Sequence, residues 1–235
     1  MRQINGLRTS SAARIMEARK HGPFQSMADF GRRTRLGQAT LEQLSRAAAL
    51  TSLKQDRRVA LWQAMGQEKT PQHQPLFDDL HADDDEDALL PALAEQDEVF
   101  ADYRTTGLSL RAHPISFYRK QLTQLRVSTA EELDIKPNER HLRVAGLVIL
   151  RQRPATAKGI TFVTLEDETG PLNLIIKPSI WERYYQIVRT RPAWIAHGKL
   201  ERRSGVTHVI VNRLEDLAER LGESEDLKTR SRDFR

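Results

Sequence analysis

Three groups of residues have the types and spacing to do chemistry. The first is Ile4-Asn5-Gly6-Leu7, set directly before a run that reads as a helix. A glycine there lets the backbone approach a ligand, and the N–H groups of the helix start then point outward. Such a turn can touch a nucleic-acid phosphate without reading bases, with Ser10 or Thr9 as the N-cap and Arg14 one turn further on. An ordinary capped helix is the alternative. The second group combines cations with flat rings: Arg151, Arg153, Lys158, Lys199, Arg202 and Arg203, with Phe162 and His208 as candidates for stacking on bases. For Phe162, a place inside a core is the favoured alternative. The third is His73-Gln74-Pro75-Leu76-Phe77, where two large apolar residues in a polar stretch suit a short docking peptide or a pair packed on its own domain.

Composition excludes several chemistries. The 235 residues contain no cysteine, which rules out disulfides, thiolate-bound zinc and thiol catalysis, and fits a reducing cytosol. There is no apolar run of membrane-spanning length and no hydrophobic signal core near Met1, so a cytoplasmic location is expected. His113, before Pro114, has no Ser, Cys or Asp partner at a familiar spacing and reads as a turn residue. The run Asp83-Asp84-Asp85-Glu86-Asp87 reads as solvated charge. Glu166-Asp167-Glu168 sits in a turn, where carboxylates cap and orient a loop more often than they hold a metal.

The net charge of +5 conceals an asymmetry. Residues 1–65 carry 12 Lys and Arg against 4 Asp and Glu, residues 66–100 carry 1 against 11, and residues 140–235 carry 18 against 12. Two basic modules flank an acidic stretch. Basic modules suit a polyanion, because neutralising phosphates releases condensed counterions.

Residues 1–65 predict a small all-helical module. Ser26 caps one helix, Leu41, Leu44, Ala48 and Leu50 stripe another, and Asp56–Met65 forms an amphipathic third. Residues 66–90 read as an acidic flexible linker, 91–138 as a helical connector, and 217–235 as a charged tail. Between them, 139–216 alternates β-rich apolar runs with Gly, Pro and Asp/Glu-Thr-Gly breaks. The expected strands are His141–Arg153, Gly159–Glu166, Leu172–Lys177, Pro192–Arg202 and Val206–Leu214, with a helix from Pro178 to about Arg189 and Gly146 allowing a sharp bend. Five short strands with a helix between the third and fourth outline an OB-fold, a small barrel that often binds single-stranded nucleic acid or oligosaccharide. The class is α+β: a helix-hairpin-helix module, a linker, then a five-stranded barrel.

Several stretches resemble the C-terminal region of bacterial DnaE-type DNA polymerases, and above all their error-prone branch, the ImuC group. They are INGL, RIMEAR, GPFQSMADF, DRRVALWQA, TTGLSLRAHPISFY, VAGLVILRQRPATAKGITFVTLEDETGPLNLI and the closing SRDFR. The resemblance implies a helix-hairpin-helix gripping duplex DNA and an OB-fold near single-stranded template, in a damage-tolerant polymerase. It also implies a sliding-clamp peptide between the modules, in which His73 stands where the family has Gln while Leu76 and Phe77 match. The family's palm aspartates, which bind Mg²⁺ for nucleotidyl transfer, have no counterpart here, so the chain is expected to need no cofactor and to be inactive alone, as a fragment or split gene product. The expected partners are DNA, the clamp and translesion accessory proteins. A protein-interaction platform is the competing expectation. An anticodon-binding barrel of a tRNA ligase is disfavoured, since no synthetase motif accompanies it.

Overall fold

The computed structural model describes residues 4–53, 56–66, 90–203 and 205–222, and the backbone of 232–234. The docking peptide His73–Phe77 and the acidic run lie outside the described residues. The chain divides into two compact units, Met1–Leu108 and Ser109–Arg235.

The first unit is helical: α1 (Thr9–Arg19), α2 (Met27–Thr34), α3 (Gln38–Arg46), α4 (Arg57–Gly66) and α5 (Glu95–Thr106). One core gathers Ile15, Met27, Phe30, Leu36, Leu41, Leu44, Leu50 and Ala64; the expected stripe is corrected at Ala48, which lies beyond the end of α3 at φ 50° and outside that core. Ser26 caps α2 as expected, its hydroxyl accepting from the Asp29 N–H at 3.1 Å. The expected cap of α1 is corrected. Arg8 is the extended residue at the N-cap, no side chain caps the helix, and Thr9 and Ser10 already lie within its first turn. The connector expected over 91–138 is divided: α5 belongs to the helical unit and residues from Ser109 onward to the second. The reason is Arg57, only 5% exposed, which ion-pairs with Glu98 at 3.3 Å and with Asp102 and donates to the Glu98 carbonyl at 3.1 Å. A buried cation needs such partners, and α5 supplies them.

The second unit opens with a 3₁₀ turn (Pro114–Tyr118), α6 (Arg119–Gln124), β1 (Val127–Ser128) and α7 (Glu132–Ile135). Then come β2 (His141–Gln152), β3 (Thr161–Asp167), β4 (Gly170–Ile176), α8 (Pro178–Arg183), α9 (Tyr185–Thr190), β5 (Ala193–Arg203) and β6 (Val206–Asp216). The tail begins with α10 (Leu217–Leu221), capped by Asp216, and the backbone of β7 (Arg232–Phe234) pairs with β2. The predicted interstrand helix is two short helices, because Tyr184 leaves the helical region at φ −109° and ψ 27°.

The strands close in the order β2-β3-β4-β6-β5 and back to β2, with β4 and β6 parallel. That is the strand order of an OB-fold. Closure depends on β2, whose first half pairs with β5 and whose second half pairs with β3. At the crossover the strands are too close for a side chain, since a Cβ on Gly146 would lie 2.6 Å from the Glu166 carbonyl oxygen. The interior is apolar, with Trp194, Leu165, Leu174, Ile176, Leu200 and Val209 wholly buried. Trp194 donates its Nε1–H to the Arg191 carbonyl at 2.9 Å, so its one polar atom is satisfied.

Candidate nucleic-acid interface

Strand alternation sorts the barrel residues into inside and outside. On β3, Thr161, Val163, Leu165 and Asp167 are buried, so Phe162, Thr164 and Glu166 point out. Phe162 is 37% exposed, and the core position favoured for it is corrected: the small Thr161 beside it takes the inward place. The cross-strand register extends outward residues into rows. Phe162 pairs with Ile175 on β4, Ile175 with Ile210 on β6, and Ile210 with Lys199 on β5. A second row runs through Thr164, Asn173, His208 and Glu201. The inward neighbours Val163, Leu174, Val209 and Leu200 are at most 1% exposed, which fixes the facing of both rows.

The first row is an aromatic and aliphatic strip with cations around it. The exposed Arg153 lies over the Trp181 ring at 5.5 Å. Lys158 is exposed at the end of the loop after β2, in a left-handed conformation with φ 49°. Lys199 pairs with Glu139 at 2.9 Å, and Arg203 keeps 82% of its side chain exposed while lying 3.5 Å from Glu201. His208 is half-buried beside Asn173 and Glu201 in the register. Such a surface can stack bases on its flat residues while cations follow the phosphates.

Two expected ligand residues serve the fold instead. Arg151 is 8% exposed, lies over the Trp194 ring at 5.2 Å and donates to the Arg191 carbonyl at 3.0 Å. Arg202 reaches the carbonyls of Leu133, Asp134 and Lys136 at the end of α7. There it satisfies helix-end acceptors that otherwise have no donor. Asp167 likewise serves the turn after β3, accepting from the N–H groups of Ala130, Thr169 and Gly170 at 2.8, 2.8 and 3.1 Å. Beside it Arg119 pairs with Glu168, and burial holds the His113 pKa down at about 4 while His113 Nδ1 accepts from the Ile115 N–H at 3.2 Å. Among the described residues no three His, Asp or Glu are grouped to hold a metal ion.

In the helical unit, Gly6 adopts φ 77°, which favours glycine. The Asn5 N–H donates to the Thr105 carbonyl at 2.9 Å and its own carbonyl accepts from Gln43, so the turn is held from both sides. Leu7 packs on the core, and Ser10 is exposed at the start of α1. Arg14 is exposed and donates to the carbonyl of Arg35 at the end of α2.

Residues 1–60 match the helix-hairpin-helix motif and residues 142–217 the OB-fold nucleic acid binding domain. Over its whole length the chain is 45% identical to an error-prone DNA polymerase of Rhodopirellula baltica, covering 20% of that protein. It is 40% identical to an error-prone DNA polymerase of Alkalilimnicola ehrlichii, covering 22% of it. The chain is a relative of the error-prone DNA polymerases. It spans about one fifth of the length of these curated relatives. Among solved structures, asparaginyl-tRNA synthetase from Pyrococcus horikoshii is similar over 39% of this chain and 23% of that one, at 22% identity and a TM-score of 0.33.

Sequence reasoning on this relative of the error-prone polymerases missed Ile175, Ile210, Thr164 and Asn173. The apolar runs LNLII and VIV hide which residue faces out. Counting back from the Asp167-Glu168-Thr169-Gly170 turn in steps of two, with Asp167 inward, would have found Thr164 and Phe162.

Proposed function

We propose that the chain is a nucleic-acid-binding part of an error-prone, damage-tolerant DNA polymerase. The hairpin at Asn5-Gly6-Leu7 touches the backbone of duplex DNA, and the barrel holds single-stranded template across the outer face of β3, β4, β6 and β5. The contribution is positional: the bases lie on Phe162 and its row, and Arg153, Lys158 and Arg203 accompany the phosphates. The observation that carries this reading is the outward row Phe162–Ile175–Ile210 within a domain matching nucleic-acid-binding OB-folds. The test is fluorescence anisotropy with a labelled oligo-dT strand. Phe162→Ala is expected to weaken binding roughly tenfold, the loss of one base stack. Unchanged affinity would refute the face.

A second reading, a platform for the sliding clamp or translesion accessory proteins, is favoured by one observation. Trp62 and Met65, three residues apart on α4, are 61% and 54% exposed. Large apolar residues in adjacent positions mark protein contacts more often than solvent-facing surface. If this reading holds, Trp62→Glu abolishes association with the purified clamp or accessory protein and leaves oligo-dT affinity unchanged.

A further inference from the structure

Another part of the barrel's outer surface carries basic residues that the strip does not use. Register places Val127, Arg143, His197 and Arg213 in one row across β1, β2, β5 and β6. Arg143, His197, Arg213, Glu215 and Arg220 line a pocket of about 140 Å³. A second pocket of about 440 Å³, lined in part by Arg126, Arg140 and again Arg143, adjoins it. The two share Arg143 and Val127, so they are consecutive stations of one groove.

The charge in this groove is unbalanced. In the second pocket Lys136 is paired with Glu132 and Arg119 with Glu168. Arg126 and Arg140 are exposed and, among the described residues, no ion pair holds them. Arg143 donates to the Leu125 carbonyl at 2.9 Å and has no carboxylate partner among the described residues. In the first pocket a single carboxylate, Glu215, serves three donors: His197 at 2.7 Å, Arg213 at 3.1 Å and Arg220 at 3.7 Å. The two pockets are thus lined by six arginines and Lys136 against two carboxylates, Glu132 and Glu215. Glu215 fixes the directions of two guanidinium groups without neutralising the set. Arg126 also sits at φ 56°, a left-handed conformation that is costly for any residue with a Cβ. Arg126 and Arg140 line one pocket, Arg213 and Arg220 the other, and Arg143 lines both.

We propose that this groove is a second track for the nucleic-acid strand, binding backbone phosphates through Arg126, Arg140, Arg143, Arg213 and Arg220 without reading bases. The proposal rests on the reading that the barrel binds single-stranded nucleic acid. The strip of β3, β4 and β6 stacks bases, and the groove over β1 and β2 takes the phosphates of the continuing strand. The groove is lined by cations and by no Phe, Tyr or Trp, so its affinity is mainly electrostatic and steeply salt-dependent.

The experiment measures oligo-dT affinity of the whole chain against salt concentration, using strands too short and long enough to reach beyond the strip. The variant is Arg140→Gln, Arg143→Gln and Arg213→Gln together, glutamine keeping a donor for the Leu125 carbonyl. All three are on the surface, and circular dichroism checks the fold. The expected result is a salt slope shallower by about 2 on the long strand only, from three lost phosphate contacts on single-stranded DNA. Phe162→Ala should weaken both strands with the slope unchanged. An unchanged slope in the triple variant overturns the track while leaving the strip standing. If Phe162→Ala is also without effect, the barrel's nucleic-acid reading itself falls. If millimolar inorganic phosphate raises the melting temperature of the unaltered chain and not of the triple variant, while DNA slopes stay equal, the groove holds free phosphate and the track is likewise overturned.

Discussion

Two faces of one small barrel differ in how they treat charge. On the β3-β4-β6 face the strands turn aliphatic and aromatic side chains outward, and the cations stand at the ends of the row. On the β1-β2 flank Arg126 and Arg140 stand just before the two strands and Arg143 is exposed on β2. The same alternation turns the strip and Arg143 outward, since each strand contributes every second residue to the outside. Charge alone therefore does not identify a ligand face. Arg151 and Arg202 carry as much charge as Arg140, yet Arg151 is buried against the Arg191 carbonyl and Arg202 is held by three carbonyls of α7 and its end.

Gly198 lies where the two faces meet. A register shift between His197 and Gly198 skips Asn212 on β6, so Ile210 and Arg213, an odd number of residues apart, lie opposite the outward Lys199 and His197 of β5. A Cβ on Gly198 would sit 2.4 Å from the Ile210 carbonyl oxygen. Gly198→Ala should therefore destabilise the barrel by about 3 kcal/mol in urea unfolding and impair both faces together. If only one face suffers, they are less coupled than the bulge implies.

Acid should separate the faces. Burial holds the His113 pKa at about 4 against 6.5, so between these values the unfolded chain takes up a proton that the folded chain refuses. Stability is then fully present above pH 6.5 and falls as pH drops toward 4, by on the order of 3 kcal/mol. Glu166, whose carboxyl burial pushes up, offsets part of this by gaining its proton more readily when folded. His113 lies 3.8 Å from Glu166 near the end of β3, so acidification should loosen the β3 side first. Thermal melts across this range test it, and His113→Asn should flatten the profile.

A smaller effect falls on the strip. Phe162→Ala should weaken oligo-dT binding by about 1–2 kcal/mol in anisotropy. Its stability should fall by about 1 kcal/mol, since Phe162 is only 37% exposed. The smallest belongs to Arg203→Ala, which should lower the salt slope by roughly 0.7, one phosphate on single-stranded DNA, with no change in melting temperature. A larger loss there would move the strand's path toward the β5–β6 turn.

The strands were legible because each apolar run ends at a turn residue the backbone requires, and observed boundaries fall within two residues of expectation. The close approach at Gly146 was legible as a bend. The facing of Phe162 was not, because a polar threonine can take a core position where space is short. The fates of Arg151 and Arg202 were hidden for another reason. A sequence displays a guanidinium but not the unsatisfied carbonyl that will meet it, such as the end of α7 or the Arg191 peptide. The division at Leu108 was hidden likewise, since it depends on Arg57 finding Glu98 and Asp102 across the acidic stretch.

The divided pairing of β2 also has a kinetic consequence. Its second half meets β3 through a short loop, but its first half must wait for β5, which arrives only after β3, β4, α8 and α9. Until then that half of β2 is a bare hydrogen-bonding edge of mostly apolar residues. Ring closure should be the slow step of folding, on a scale of milliseconds to seconds, and the open ring the species most prone to aggregate.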